Sequence, residues 1–201
     1  MQLHKSLITL AFSVLLTSGV AVASATGFDM GLRAFAAGDF KAALAQWIPL
    51  AEQGHVIAQN NVGVMYAKGN GVIENDNTAV EWLTLAAEQG FAEAQYELGG
   101  MYARGEGVSS DPKTALKLLT LAAEQGFAEA QASVGLMYYS GNGVLSDNTI
   151  AYTWFDLAAH NGDEIAHGLK KNITKEMSAD EISKAQDMSS RCLESGYTQC
   201  Y

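Results

Sequence analysis

Positive charge is scarce in this chain: 12 Lys and Arg face 22 Asp and Glu across 201 residues, a formal net charge of −10. Such a surface repels phosphate backbones and anionic headgroups, which excludes nucleic acid or an acidic bilayer as the principal ligand. Cysteine and proline are scarce as well, two of each. No sequence G-x-S-x-G marks a nucleophile turn. Long apolar runs are confined to the N-terminus, and beyond residue 25 none reaches the roughly 20 residues a membrane helix needs. The chain as a whole is 48% hydrophobic and 17% charged, too apolar for disorder and sufficient for one sizeable core.

The apolar run from Ser6 to Leu16 follows His4 and Lys5 and precedes two small-residue patterns, Ala21-Val22-Ala23 and Ala23-Ser24-Ala25. This is the layout of a secretory signal peptide, with cleavage expected near Ala25. Loss of Lys5 with the signal leaves 11 basic against 22 acidic residues. No Cys follows the cleavage point to carry a lipid, so no stable membrane insertion is expected, and the product is exported, to the periplasm or beyond.

The rest of the chain repeats itself. Ala51-Glu52-Gln53-Gly54 recurs at Ala87 and Ala123 and, in degenerate form, as Ala159-His160-Asn161-Gly162, in steps of 36 residues. Residues 83–95 and 119–131 are identical, and Gly63, Gly99 and Gly135 and then Tyr66, Tyr102 and Tyr138 hold the same register. A fixed period of this size means stacked units. Each unit reads as two helices. Ala58, Val62, Met65 and Tyr66, like Ala94, Leu98, Met101 and Tyr102, share one face at helical spacing. The internal glycine costs about 1 kcal/mol of helix propensity, which is repaid if it lets a neighbouring helix approach. A G-x-G-V segment closes the first helix, and an Asp or Asn opens the second, most clearly where Asp111 precedes Pro112. The second helix carries Ala79, Trp82, Leu83 and Ala86 and their equivalents inward. No such pair buries its apolar faces alone, so the fold expected is an all-α solenoid of about four helix-turn-helix repeats. Pro49, inside the helix before Gln53, is expected to kink it.

The A-E-Q-G-x-x-x-A-Q-x-x-x-G-x-M-Y-x-x-G-x-G-V pattern resembles the Sel1-like repeat family, relatives of the tetratricopeptide repeats, over roughly residues 30–170. The resemblance implies a right-handed superhelix that serves as an adaptor for protein complexes, and it transfers no catalytic residue. Residues 26–54 form a divergent first unit, residues 55–162 the repeats and residues 163–201 a C-terminal cap. In the cap, Ser178-Ala179-Asp180-Glu181 fits a capping box ahead of Ile182, Ala185, Met188 and Cys192. Cys192 and Cys200, in an exported chain, are read as a disulfide rather than a redox pair.

Candidate chemistry yields to the repeat register. His160 and His167 flank Asp163 and Glu164 as zinc ligands would, but they occupy the positions of Glu124 and Gln131 in the unit before. Glu93 with Glu97, and Glu124 with Glu129, read as solvated helix faces rather than an acid and base pair. Met65, Met101 and Met137 suggest a copper stripe but sit in equivalent core slots. The sequon at Asn172-Ile173-Thr174 is read as incidental. No cofactor and no metal is expected, and no enzyme.

Function is therefore sought on a surface. Opposite the buried stripe of each first helix lie Asn60, Val64 and Ala67, then Tyr96, Gly100 and Ala103, then Ala132, Leu136 and Tyr139. By analogy with related solenoids this face is concave. Asn60, Asn61, Val64, Tyr96, Leu136 and Tyr139 are the candidate contacts for a protein or peptide partner. A secreted factor acting on a host protein and an envelope hydrolase acting on peptidoglycan or β-lactams are the alternatives.

Overall fold

A computed structural model describes residues 27–197 and residue 200, so the signal peptide expected over residues 1–25 and the cleavage expected near Ala25 lie outside the described residues. The described chain is helical throughout and contains no strand. Helix α1 covers 27–36. There follow α2 (Phe40–Glu52), α3 (Val56–Ala67), α4 (Asp76–Glu88), α5 (Ala92–Arg104) and α6 (Pro112–Ala123). The chain continues through α7 (Ala128–Ser140), α8 (Asn148–His160), α9 (Glu164–Ile173), a 3-10 turn (Thr174–Glu176) and α10 (Ala179–Glu194).

Short polar side chains start the second helices. Asn75 accepts from the Thr78 amide at 3.1 Å, Asp111 from Thr114 at 3.3 Å and Asp147 from Ile150 at 3.1 Å, each satisfying a donor that the first helical turn leaves open. The helix-closing glycines serve two ends. Gly105 takes the left-handed conformation that terminates α5. Gly107, at φ 66°, lies so close to the previous unit that an added Cβ would sit 2.5 Å from the Asp76 carbonyl carbon. The G-x-G-V loop of each unit thus rests on the start of the second helix before it. Pro49 does not interrupt α2, which runs on to Glu52.

Within each pair the first and second helices pack against each other, and each second helix packs on the first helix that follows. The internal glycines make that approach possible: a Cβ at Gly99 would lie 2.9 Å from Leu119 Cγ, and one at Gly135 2.6 Å from Phe155 Cδ1. Around them the core is built in successive clusters, Val62 and Trp47 in one, Leu83 and Leu98 in the next, Val134 and Trp154 in a third. Met65, Met101 and Met137 fall one to each cluster, as core slots rather than a stripe.

Polar residues join the units too. Gln59 donates to the Ala51 carbonyl at 3.0 Å and accepts from Gln89 at 2.6 Å. The same pair of bonds recurs one unit on, Gln95 to Ala87 at 3.2 Å and Gln125 to Gln95 at 2.8 Å. Gln131 donates to Ala123 at 3.0 Å and accepts from Asn161 at 2.9 Å, and Tyr197 closes the series by donating to Asn161 Oδ1 at 2.8 Å. Both glutamines of the repeat signature are therefore rungs of one ladder: the bonds of Gln59, Gln95 and Gln131 to Ala51, Ala87 and Ala123 cross from one unit to the next, while those from the exposed Gln89 and Gln125 and from Asn161 tie together the two helices of a single unit.

The far end is covered by α9 and α10. Lys170 reaches Asp156 of α8 at 2.8 Å, and α10 lies along α8 with Ala185 and Cys192 fully buried. Ser178 and Glu181 form the reciprocal capping box, and Cys192 is bonded to Cys200.

Candidate binding groove

Three cavities adjoin along the face made by the first helices. The first, about 220 Å3, is walled by Leu32 and Phe35 of α1, Trp47 of α2 and Asn60, Asn61, Val64 and Met65 of α3. The second, about 270 Å3, shares Val64 and extends past Lys68, Glu74 and Asp76 to Glu97, Arg104 and Glu106. The third, about 200 Å3, shares Glu97 and Arg104 and ends among Tyr96, Leu136 and Met137. Shared walls make them one groove running from α1 to α7.

The six candidate contacts divide between its ends. Asn60, Asn61 and Val64 lie in the first cavity, Tyr96 and Leu136 in the third. Tyr139, though 42% exposed, is turned toward the cap, where its hydroxyl donates to Glu176 at 3.0 Å. That bond, and the negative charge of Glu176, raise the Tyr139 hydroxyl pKa above its ordinary value. Ala132 leaves the expected open face: it is buried against Ala158, Ala159 and Ala166, because α9 packs where a further first helix would stand. Tyr96 is half-buried with its ring 5.3 Å from Phe127, and burial, reinforced by Glu97 and Glu129, holds its hydroxyl protonated to higher pH.

Charge is concentrated in the middle. Glu74, Asp76, Glu97 and Glu106 face Lys68 and Arg104. Arg104 is engaged by Glu106 at 2.7 Å, and the bond raises the guanidinium pKa and lowers that of the carboxyl. The centre of the groove is thus acidic and its two ends are apolar.

Sequence reasoning missed Leu32, Phe35 and Trp47. Their signal was present but displaced. Gly31 bears on Trp47 as Gly63 bears on Leu83 and Gly99 on Leu119, so α1 is the first helix of a genuine unit whose loop is four residues shorter. Counted at that offset, Leu32 and Phe35 are the counterparts of Val64 and Ala67, two of the positions assigned to the open face.

Among the described residues no three His, Cys, Asp or Glu side chains lie together as a metal site, and no helix is long and apolar enough to cross a membrane. His55 instead caps α3, its Nδ1 accepting from the Ala58 amide at 3.2 Å.

Residues 56–91, 92–127 and 128–163 each match the family model of the Sel1 repeat. No curated protein sequence matches the chain. Among solved structures, a protective antigen present in uropathogenic Escherichia coli strains, displaying an SLR fold, aligns with a TM-score of 0.72 and 31% identity over 78% of this chain and 34% of the other. A Sel1 repeat protein from Oxalobacter formigenes aligns with a TM-score of 0.68 and 34% identity, over 72% of this chain and 57% of the other. Helicobacter pylori cysteine-rich protein B shares the fold, with a TM-score of 0.53 and 23% identity over 65% of this chain and 94% of that one. This chain therefore spans only about a third of the first of these proteins and a little over half of the second.

Proposed function

We start from the fact that the chain belongs to the Sel1 repeat family, whose members are generally protein-protein interaction modules, and propose that it is an exported adaptor that holds a protein segment along the first-helix groove. The observation that carries this is the continuity of the three cavities along the positions that vary from unit to unit while the core letters repeat. Asn60 and Tyr96 occupy one such position and Val64, Gly100 and Leu136 another. A stack whose inward residues are fixed and whose groove residues differ presents a one-directional series of contacts, which is what recognition of an extended segment requires.

Export is supported by the signal-like N-terminus, by the Cys192–Cys200 bond, which persists in oxidising compartments, and by likeness to a protective antigen. Action in the periplasm is the placement we favour.

The test is crosslinking of tagged protein in its native envelope, with captured partners identified by mass spectrometry and Leu136→Glu as the control. Leu136 is 44% exposed on the groove wall, so the change leaves the core intact. A specific partner lost in the variant supports the groove; equal capture by both proteins refutes it.

A further inference from the structure

The first cavity contains a polar group without a partner. Asn60, in its wall, is 91% buried, being 9% exposed, and its Oδ1, itself closed off from solvent, accepts no hydrogen bond among the described residues. The other cavity walls are Leu32, Phe35, Trp47, Asn61, Val64 and Met65. Neither polar wall residue meets that oxygen with a hydrogen: the Trp47 indole N–H is given to the Phe28 carbonyl at 3.3 Å, and no Asn61 donor bonds to it. An unsatisfied buried amide disfavours the empty state, and burying one in a mostly apolar pocket is uncommon without something to meet it. A carboxamide offers one acceptor and two donors in a plane, and its natural complement is a peptide group with one N–H and one C=O. Rotation about the last Asn torsion, which is broad, turns either atom to the cavity.

Size and charge define the rest of the occupant. About 220 Å3 admits one branched or aromatic side chain, and the exposed rings and methyls of Leu32 (45%) and Phe35 (40%) gain cover when it enters. The adjoining cavity, reached across Val64, is acidic because Arg104 is already neutralised by Glu106, leaving Glu74, Asp76 and Glu97 against Lys68. A cation is favoured there. Adjacent helices lie about 8–10 Å apart and an extended chain advances about 3.3 Å per residue, so the two subsites are about three residues apart along a bound strand.

We propose that the α1–α2–α3 cavity is an anchor pocket for an extended partner segment, seating one leucine-, phenylalanine- or tryptophan-sized side chain with its peptide group on the Asn60 amide and a Lys or Arg about three residues away over Glu97. This rests on the groove reading above and assigns the apolar anchor and the charge of the segment it takes.

The experiment is a titration of 15N-labelled protein, residues 26–201, with a short capped Gly-Ser peptide carrying one Phe and, three residues on, one Lys. Saturable shifts are expected in the Trp47 indole N–H and the Asn60 side-chain amide, with millimolar affinity for so small a ligand. Replacing the peptide's Phe by Ser, or its Lys by Glu, weakens binding at least tenfold. The Asn60→Leu protein loses at least tenfold in affinity while its Tm rises, since an apolar side chain of similar shape removes the unsatisfied group. Opposite signs in the two readouts separate a binding role from a folding one. Shifts confined to Tyr96 and Leu136, or undiminished binding by Asn60→Leu, overturn the pocket while leaving the groove reading intact. Shifts of Trp47 that grow with protein concentration in the absence of peptide mean that a second copy sits there, and also overturn it. No shift anywhere at about 10 mM peptide, together with no partner captured by crosslinking, overturns both.

Discussion

The buried glutamine ladder makes a quantitative prediction. Gln131 is fully buried and its side chain holds two units together, donating to Ala123 of α6 and accepting from Asn161 at the end of α8. In Gln131→Leu both bonds vanish, at about 1 kcal/mol each. The Ala123 carbonyl keeps the Gly126 amide at 2.9 Å, so it is not orphaned. Asn161 Nδ2 keeps only a longer bond to the Gly126 carbonyl at 3.3 Å, which adds a partial desolvation cost of up to about 1 kcal/mol. The buried leucine returns about 1 kcal/mol through its extra apolar area. The net loss expected is about 1–2 kcal/mol, or a fall in Tm of about 3–6 °C for a domain of this size. Calorimetry on Gln131→Leu, Asn161→Leu and the double variant checks it, with Gln53→Leu as the comparison, because Gln53 bonds only within its own helix, to Pro49. The double variant is expected to lose less than the sum of the singles by about 0.5–1.5 kcal/mol, since removing both partners leaves neither stranded. Additivity within about 0.3 kcal/mol refutes the coupling of α7 to α8 through Asn161, and an equal loss in Gln53→Leu refutes the ladder as a stabilising contact.

Three further outcomes follow from single contacts. Gly107→Ala places a methyl against the Asp76 backbone at φ 66° and is expected to cost about 3 kcal/mol or more by chemical denaturation, whereas Gly90→Ala, at φ 85° with nothing within 4 Å, costs only the left-handed penalty of about 1–2 kcal/mol. Reduction of the Cys192–Cys200 bond frees a loop of sequence separation 8 and is expected to cost about 2–3 kcal/mol, read as a Tm difference with and without reductant. Asp111, through Thr114, and Glu181, through Ser178, are held below their ordinary carboxyl values. Groups lowered in the folded state contribute stability at pH above about 4.5 that is lost as pH falls through their folded values, so acid melts the wild type more steeply than Asp111→Asn or Ser178→Ala, as thermal melts at about pH 3–7 would show.

The sequence revealed most where one physical requirement recurs. Ala58, Val62 and Met65 announce a buried stripe because helical spacing leaves them no other common face. Gly99 and Gly135 announce close approach because a helix tolerates glycine only for a reason, and the reason is Leu119 and Phe155. The ladder was invisible despite its repetition. Gln89 and Gln59 lie 30 residues apart, and a polar letter in a helix reads equally as surface until the fold brings two such letters within 2.6 Å. Tyr139 was legible as exposed and not as engaged, since Glu176 belongs to the cap, where the period has already lapsed.

The pocket at Asn60 illustrates why function gathers where the period fails. In the interior units a first helix is flanked on both sides by others of its kind. At the start of the stack, α3 is flanked instead by α1, whose connection to α2 is four residues shorter by the register of Gly31 on Trp47. That unit brings Leu32 and Phe35 to positions held by Val64 and Ala67 in the next and by Gly100 and Ala103 in the one after. The groove therefore widens in apolar character toward α1, and the amide of Asn60 faces walls that no inner unit reproduces, since Tyr96 and Ala132 stand in its place. Transplanting Leu32 and Phe35 back to the inner letters, as Leu32→Gly with Phe35→Ala, removes two partly exposed side chains (45% and 40%) and, with them, the ring contacts of Phe35 to Phe40 and Trp47. Because glycine lowers helix propensity by about 1 kcal/mol, Leu32→Ala with Phe35→Ala serves as the stability-matched form. If the pocket is the anchor, this pair abolishes the Trp47 shift on peptide addition while the protein melts cooperatively a few degrees lower, for the lost ring contacts of Phe35; if the shift persists, the acidic centre alone binds, and the shortened first unit is only the blunt end of the stack.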